Sequence, residues 1–566
     1  MEPAISWSIG STGPSSALTR PGWATLLAVT ISLSGCAGGG SDPTEASATK
    51  LFFEWNSPTS PGCAVGVIQN GHFLFERGFG SADVVHKAPI GPDTIFSIAS
   101  MSKQFTGMAV GLLIREGKLS LDDDIRRYVP ELQGYGEPVR IRDLVYHTSG
   151  LRDYISLAED LSDYGRLNRP HTEAEFLGLL ARQKALNFAP GTRFSYSNSN
   201  YFLLGITVKR VAHMSLRAFA EQRIFGPLGM RRTRFRDRYD EAVQDRAVGY
   251  EDAGNGRFDP VQSHFDQVGD GGVLTTLNDL ARWDAESYSN SLGGRALHSM
   301  LVATGALRDG TSLNYAFGLY QNSTPLAPRL YHGGNDAGFR TRMVRYPSQR
   351  FSIFCLCNLS SINTGPLVDK LANIYLGSGA TEHVTEVPVS AAELGRLQGH
   401  YRDPSTMGIW GFRRTGDGLT ATLVGVPGDR KLVSIGHGAF STENASFVAS
   451  FGPTAETVQV SEYHGPPTMF SRVQFEGLGD PNAYSGTYRS DELPATYQLE
   501  VLKGQLVVTK PKAAAGPLSP TIRDAFTGTG NYFLFHRDGW HAITGFRLGE
   551  NTGRVRNLEF QRVTAR

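Results

Sequence analysis

The sequence predicts an α+β protein in which an antiparallel sheet flanked by helices is followed by two small antiparallel β-barrel domains. Two apolar runs flank Asn70-Gly71, a strong hairpin signal that would open the sheet. Apolar residues at helical spacing recur through the first 380 residues. Beyond that point the helical periodicity fades and short strands punctuated by turns take over. At 566 residues the chain is too long for a single core.

Composition narrows the classes of partner and cofactor. The net charge of +1 and the lack of a basic cluster exclude an electrostatic case for nucleic acid, so we expect a small-molecule or peptide substrate. No C-x-x-C or zinc-ligand spacing occurs, and we predict neither a metal nor another cofactor. Cys63, Cys355 and Cys357 are predicted to be buried free thiols, because two cysteines two residues apart in a strand cannot bridge each other. The oligomeric state stays open.

The N-terminus is typical of an exported protein. Arg20 precedes an apolar run, Trp23 to Leu33, that is too short to span a bilayer. The following residues, Leu33-Ser34-Gly35-Cys36, resemble a bacterial lipobox. That resemblance implies cleavage before Cys36, lipidation of its thiol, and a protein held on the periplasmic side of a membrane by its lipid anchor only. The alternative is an ordinary signal peptide with a coincidental cysteine.

The remaining chain divides by composition. Residues 1–36 are predicted to be a signal peptide with lipobox, and residues 37–50 a flexible tether. Residues 51–380 form the predicted α/β domain. The segment 397–402 resembles 484–489, which predicts two small barrels at 388–478 and 482–566. A single β domain with a chance match is the alternative.

Ser100 and Lys103 form an S-x-x-K pair at the start of an amphipathic helix. Lys103 lies one turn from Ser100 on the same face. A serine hydroxyl becomes a nucleophile when a neighbour accepts its proton, and a lysine kept deprotonated can do so. The helix N-terminus also favours negative charge at Ser100. We therefore predict that Ser100 is an acyl-transfer nucleophile.

Two further stretches carry polar groups in positions suited to a site. Tyr196 and Asn198 follow a Pro-Gly turn and directly precede a predicted helix. His332 and Gly334 would lie at a sheet edge, where glycine allows close approach of a substrate backbone. His147 could be catalytic, but we favour a structural histidine that fixes its loop, because no acid is spaced as an obvious partner.

Each motif alone is weak, since Ser47-Ala48-Thr49-Lys50 is a second S-x-x-K. Their order is more specific. Ser100-x-x-Lys103, Tyr196-x-Asn198 and His332-x-Gly334 together resemble the serine β-lactamase and penicillin-binding superfamily. The resemblance is closest to its class C–related branch, which includes D-aminopeptidases, family VIII esterases and D,D-carboxypeptidases. It implies a β-lactamase-like domain over about 51–380, and the two β-barrel domains resemble those of bacterial D-aminopeptidases.

The resemblance implies a separate catalytic or binding role for each of these residues of the first domain. Lys103 and Tyr196 would share the proton of Ser100, and which of them is the resting base stays open. Tyr196 would then protonate the leaving group. The backbone N–H groups of Ser100 and Asn335 would form the oxyanion hole. Asn198 would orient the substrate amide.

The third motif and the last domain bear on the substrate. His332 stands where β-lactamases carry lysine, which disfavours an antibiotic hydrolase. It would contact substrate or polarise Tyr196, with Gly334 beside it. In D-aminopeptidases a loop of the last domain narrows the site. If the segment from Pro511 to Thr527 does so here, Asp524 could pair with a substrate α-ammonium. A solvated loop acid is the alternative.

These expectations converge on an exported serine hydrolase. It would cleave a small amide or peptide through an acyl-enzyme on Ser100, as D-aminopeptidases do. An esterase or D,D-carboxypeptidase of the same fold is the first alternative. A lipid-anchored binding protein without turnover is the second.

Overall fold

The computed structural model describes residues 43–162, 170–462, 465–477, 479–509 and 516–563. Cys36, the predicted signal peptide and residues 37–42 lie outside the described residues. The helices, in chain order, are α1 Pro43–Lys50, α2 Lys103–Arg115, α3 Ile141–Val145, α4 Glu173–Ala181, α5 Asn198–Ala212, α6 Leu216–Ala220, α7 Leu277–Ser289, α8 Gly294–Val302, α9 Thr364–Leu376 and α10 Ala391–Leu397. No described helix is long and apolar enough to cross a bilayer.

The first domain is built on a six-stranded antiparallel sheet with the order β10-β11-β12-β13-β1-β2. Its strands and the smaller ones around it are β1 Cys63–Gln69, β2 His72–Phe79, β3 Ser81–Asp83, β4 Ala88–Pro89, β5 Phe96–Ser97, β6 Arg234–Phe235, β7 Gly249–Gly254, β8 Arg257–Val261, β9 Val273–Thr275, β10 Tyr320–Ser323, β11 Pro328–Asp336, β12 Phe339–Tyr346 and β13 Phe351–Cys357. The predicted hairpin is confirmed. Asn70 and Gly71 join β1 to β2 with φ of 52° and 82°, as a tight two-residue turn requires.

Helices cover both faces of this sheet. Every residue of β13 is buried, because its side chains alternate between two cores. Phe354 and Leu356 join the core that contains α2, whereas Ile353 and Cys355 join the core formed with α9. A strand buried on both faces reads as a continuous apolar run, and Phe351–Cys357 is one.

Two predictions about this domain are wrong. Residues 43–50 form α1 instead of a flexible tether, because Ala48 is fully buried in the core that α9 shares. Cys63 and Cys357 form a disulfide instead of remaining free thiols. The register of β1 against β13 places them directly opposite each other, with Cα atoms 4.0 Å apart, although 294 residues separate them in sequence. Cys355 is a buried free thiol, as predicted.

The C-terminal region contains two antiparallel β domains, which confirms the predicted fold class. The first is a closed barrel of β14 Gly399–Arg402, β15 Ile409–Thr415, β16 Gly418–Leu423, β17 Asp429–Gly436, β18 Ala439–Ser441, β19 Phe447–Phe451, β20 Thr457–Glu462 and β21 Thr468–Val473. The second is a nine-stranded sheet of β22 Gly486–Arg489, β23 Thr496–Leu502, β24 Gln505–Thr509, β25 Gly516–Pro517, β26 Ser519–Pro520, β27 Ala525–Gly528, β28 Asn531–Arg537, β29 Ile543–Glu550 and β30 Leu558–Arg562.

The sequence repeat has a structural counterpart. Gly399 and Gly486 each begin the first strand of their domain, with φ of 143° and 149°. A Cβ at Gly399 would lie 2.6 Å from Nη1 of Arg472, and one at Gly486 would lie 2.8 Å from Nε of Arg562. Each arginine comes from the last strand of the same domain. The repeated glycine therefore makes room for an arginine that ties the first strand to the last.

The last β domain is anchored on the first domain. Arg152 is fully buried and pairs with Glu492 of the last domain at 2.8 Å. Its guanidinium also donates to the carbonyl oxygens of Arg556 and Asn557. These hydrogen bonds from Arg152 hold the segment 551–557, which joins β29 to β30, against the first domain.

Candidate active site

Ser100 lies in a tight turn, Ala99–Ser102, directly before α2. It is partly exposed, while its neighbour Ala99 adopts the left-handed conformation, with φ of 46°. A non-glycine residue in that region stores strain and occurs often at functional sites. The strained turn presents the Ser100 hydroxyl to the cleft at the first turn of the helix.

Lys103 is completely buried, and its amine has three polar neighbours. Nζ lies 3.0 Å from Oγ of Ser100, 2.9 Å from Oδ1 of Asn198 and 2.6 Å from the carbonyl oxygen of Asp270. The last two oxygens carry no hydrogen, so both must accept from the amine. Nζ also donates to Oγ of Ser100, which is the only one of the three groups with a hydrogen that it could give to the amine.

Asn198 is the first residue of α5, and it is held from behind by Asp153. Oδ2 of Asp153 accepts from the backbone N–H of Asn198 at 2.6 Å and from its Nδ2 at 3.0 Å. Oδ1 of Asp153 accepts from the N–H groups of Ile155 and Ser156. Because the side-chain amide nitrogen of Asn198 donates to Asp153, its amide oxygen faces Lys103. Sequence reasoning missed Asp153, although it lies only six residues after His147.

The Tyr196 ring is half-buried and packs beside Lys103, whose Nζ lies 4.9 Å from the ring centroid. No hydrogen bond joins its hydroxyl to Ser100, Lys103 or another described residue. His147 packs on the ring at 4.4 Å between centroids. The arrangement leaves the Tyr196 hydroxyl free to meet a ligand, while Lys103 makes the direct contact with Ser100.

His147 has the structural role that we favoured. Its Nδ1 lies 3.2 Å from the backbone nitrogen of Ser197 and 2.9 Å from Nδ2 of Asn200. Burial, together with the charge of Lys103, lowers its pKa well below the ordinary value, so the imidazole is neutral. A neutral Nδ1 accepts from both donors and fixes the loop that carries Tyr196.

His332 is buried on β11 and bonds to Tyr315. Nε2 lies 3.2 Å from the Tyr315 hydroxyl, and Nδ1 lies 2.6 Å from the carbonyl oxygen of Gly333. Burial and the charge of Lys103 lower its pKa to about 3. Its ring centroid is 6.2 Å from that of Tyr196, and no hydrogen bond joins the two side chains. His332 therefore has no hydrogen bond through which to polarise Tyr196, and its contact with substrate stays a prediction.

Gly334 and Asn335 follow on the same strand. A Cβ at Gly334 would lie 2.2 Å from the carbonyl oxygen of Ile98 and 2.4 Å from Oγ1 of Thr341, so only glycine fits against the turn that carries Ser100. Asn335 is exposed at the end of β11, opposite Arg340 in the register. This strand therefore runs alongside the nucleophile, where the resemblance places substrate.

Asp524 makes other contacts than those predicted. Arg537 bonds to both of its carboxylate oxygens, at 2.7 Å and 3.0 Å, and Tyr484 donates to Oδ1 at 2.8 Å. Arg537 also lowers the pKa of Asp524. The charge of the Asp524 carboxylate is thus balanced by Arg537 within the same domain. The predicted pairing of Asp524 with a substrate ammonium is therefore wrong. Residues 511–515 of the same predicted loop lie outside the described residues.

The last domain contributes Arg554 to the site instead, on the segment 551–557. Cζ of Arg554 lies 5.8 Å from the centroid of the Tyr196 ring. Its carbonyl oxygen accepts from the N–H of Asp153 at 3.2 Å and from Nδ2 of Asn187 at 2.8 Å. Nothing in the sequence around Arg554 predicts this approach, because it depends on how the last domain docks.

Acidic groups lie near the same segment. Burial and repulsion from Asp160 raise the pKa of Glu159 to about 7 and that of Glu550 to about 8. The charge of Asp153 raises both further. The surroundings of Asp153 therefore contain the guanidinium of Arg554 and two carboxyl groups with raised pKa values.

The fold and these contacts bring a partly exposed serine, Ser100, beside a buried lysine, Lys103. The chain belongs to the family described as Beta-lactamase, whose model matches residues 54–374. It is similar to a D-aminopeptidase of Brucella anthropi, with 29% identity over 440 residues that cover 77% of this chain and 80% of the relative. A D-aminopeptidase of Brucella ovis is 28% identical over 89% of this chain and 96% of its own length.

Solved structures support the same fold. A penicillin-binding protein homologue from Pyrococcus abyssi, described as octameric, superposes with a TM-score of 0.54 and 20% identity over 83% of this chain and 98% of its own. A D-amino acid amidase from Ochrobactrum anthropi, in complex with D-phenylalanine, has a TM-score of 0.51 and 20% identity over 60% of this chain and 100% of its own. The chain is therefore a serine hydrolase of the β-lactamase-related class.

Proposed function

We propose that this protein is an exported D-aminopeptidase-like hydrolase that releases an N-terminal D-residue from a small amide or peptide. The observation that carries the proposal is the extent of its similarity to D-aminopeptidases. That similarity covers 89% of the chain and so includes the two β domains as well as the catalytic one. A long match through accessory domains supports a shared substrate class better than a match to the common fold does.

The contacts support a two-step mechanism. The Ser100 oxygen attacks the substrate carbonyl and passes its proton to Lys103, which Asn198 and the Asp270 carbonyl hold in place. The oxyanion is bound by the backbone N–H groups of Ser100 and Asn335. The C–N bond then breaks, and Tyr196 protonates the leaving amine and becomes a phenolate. In the second step the phenolate takes a proton from the water that adds to the acyl-enzyme, Lys103 returns the first proton to the Ser100 oxygen, and the acid is released.

Chromogenic substrates test this proposal. We expect turnover of D-alanine p-nitroanilide and much slower turnover of the L-isomer. A fluorophosphonate should label the wild type but not Ser100→Ala. Cleavage of p-nitrophenyl butyrate without any D-anilide turnover would replace the proposal with an esterase, and labelling of Ser100→Ala would exclude Ser100 as the nucleophile.

We also propose that the protein is exported and lipidated at Cys36. The lipobox-like Leu33-Ser34-Gly35-Cys36 supports lipidation. The disulfide between Cys63 and Cys357 supports an oxidising compartment, because disulfides are rare in the cytosol. Cys36→Ser should release the protein from membrane fractions, and unchanged fractionation would contradict lipidation.

A further inference from the structure

Arg554 presents an uncommitted guanidinium beside the catalytic tyrosine. The residue is exposed, and among the described residues none forms a hydrogen bond or an ion pair with its guanidinium. The nearest aromatic face is that of Tyr196, 5.8 Å from Cζ. By contrast, the arginine two positions on is buried, and Arg152 is paired with Glu492. This guanidinium therefore has its hydrogen-bond donors available for a ligand.

The neighbouring acids do not satisfy this guanidinium. Both oxygens of Asp153 are already used by N–H donors of Asn198, Ile155 and Ser156. Asp153 and Glu550 act on Arg554 only as charges at a distance, since no ion pair within 4 Å joins either of them to it. Their charge keeps Arg554 protonated without occupying its donors.

The backbone of Arg554 is rigidly placed. Its carbonyl oxygen accepts from Asp153, which also orients Asn198, and from Asn187. Arg556 and Asn187 add a second bond of 2.8 Å between the same two segments. The backbone of Arg554 is thus held in place by residues of the site itself.

We propose that Arg554 binds the carboxylate of the leaving group, so that the preferred substrate is a dipeptide whose second residue is the leaving group. Tyr196 protonates the leaving nitrogen, and in an α-amino acid the carboxylate carbon lies only two bonds from that nitrogen. A planar guanidinium matches a carboxylate through two parallel hydrogen bonds. This inference rests on the proposed function and specifies which amides it concerns.

The test compares D-alanylglycine with D-alanylglycinamide, which differ only in the carboxylate. We expect the wild type to have a higher kcat/KM for the free acid. Arg554→Gln should lower kcat/KM for D-alanylglycine by about 10- to 100-fold, mainly through KM, because one charge-assisted pair is lost. For Arg554→Lys, kcat/KM for D-alanylglycine should lie between the values of the wild type and of Arg554→Gln. Turnover of the glycinamide and of D-alanine p-nitroanilide should change little in either variant.

Arg523→Gln is the matched control, since Arg523 is an exposed arginine of the same domain. It should leave all three substrates unaffected. An equal loss on the acid and the amide in Arg554→Gln, or a wild type that does not distinguish them, would overturn the inference.

Binding separates this inference from the proposed function. In the Ser100→Ala background, calorimetry should show tighter binding of D-alanylglycine than of D-alanylglycinamide, and Arg554→Gln should abolish the difference. Equal affinities, or no measurable binding of the free acid, would overturn the role of Arg554. Absence of D-anilide turnover by the wild type, with this preference intact, would instead overturn the proposed reaction.

Discussion

Asp153 accepts two hydrogen bonds from Asn198, one from the backbone nitrogen at 2.6 Å and one from Nδ2 at 3.0 Å. The preceding residue, Arg152, is buried against Glu492 of the last domain. One dipeptide therefore connects the environment of Lys103 with the docking of a domain more than 300 residues away. The hydrolase site depends on that docking.

Asp153→Asn should lower kcat by about 10- to 100-fold, because a misplaced Asn198 no longer orients Lys103 toward Ser100. Asparagine offers one acceptor oxygen where the structure needs two. The measurement is the rate of fluorophosphonate labelling, with thermal melting to verify folding. Asp259→Asn, an exposed acid on β8, serves as the control. Unchanged labelling of a folded Asp153→Asn protein would contradict this role.

Adjacent glycines on β11 allow a sharp comparison. A Cβ at Gly334 would lie 2.2 Å from the Ile98 carbonyl oxygen, whereas the nearest atom to a Cβ at Gly333 is 3.5 Å away. Gly334→Ala must displace the turn that carries Ser100, and we expect kcat/KM to fall about 100-fold. Gly333→Ala should retain most of the activity. Similar activity of the two variants would show that the close packing is not needed.

Local signals were sufficient for the hairpin at Asn70-Gly71 and for the helix after Ser100, because turn chemistry and periodicity act over a few residues. The order of Ser100, Tyr196 and His332 likewise selected residues that the structure brings together. The disulfide from Cys63 to Cys357 was not predictable, since it depends on the register of two strands distant in sequence. Arg554 was missed for the same reason, as its position follows from domain docking.

Lys103 and Tyr196 should differ in how they respond to the leaving group. Lys103 contacts Ser100 directly, so Lys103→Ala should slow ester and anilide cleavage alike, by about 1000-fold. Tyr196→Phe should slow anilide cleavage by about 100-fold or more, but p-nitrophenyl butyrate far less, since nitrophenolate leaves without protonation. The measurement is kcat for both substrates. Equal losses in Tyr196→Phe would make the phenol part of the attacking base instead.

The disulfide should contribute strongly to stability. Replacing Cys63 and Cys357 together by serine should lower the free energy of unfolding by about 2–5 kcal/mol. Chemical denaturation measures this directly. Cys355→Ala is the control, because burial raises the pKa of that thiol and keeps it out of thiolate chemistry. Equal stability of the double variant and the wild type would show that the pair is reduced in the native protein.

Glu550 should make stability depend on pH. Burial and repulsion from Asp160 and Asp153 raise its pKa to about 8, although Arg554 opposes this shift. The folded protein then holds a proton that the unfolded chain loses near pH 4.5, the ordinary value for glutamate. Stability from this proton is complete below about pH 4.5 and is lost as the pH rises toward 8.

Glu550→Gln keeps the shape of the protonated acid and cannot ionise. It should therefore melt at nearly the wild-type temperature at pH 5 and at a higher temperature at pH 9. Glu500→Gln, an exposed position on β23, should show no such crossover. Thermal melts of the three proteins across this range measure the difference. A variant that is equally displaced from the wild type at both pH values would mean that Glu550 does not titrate in this window.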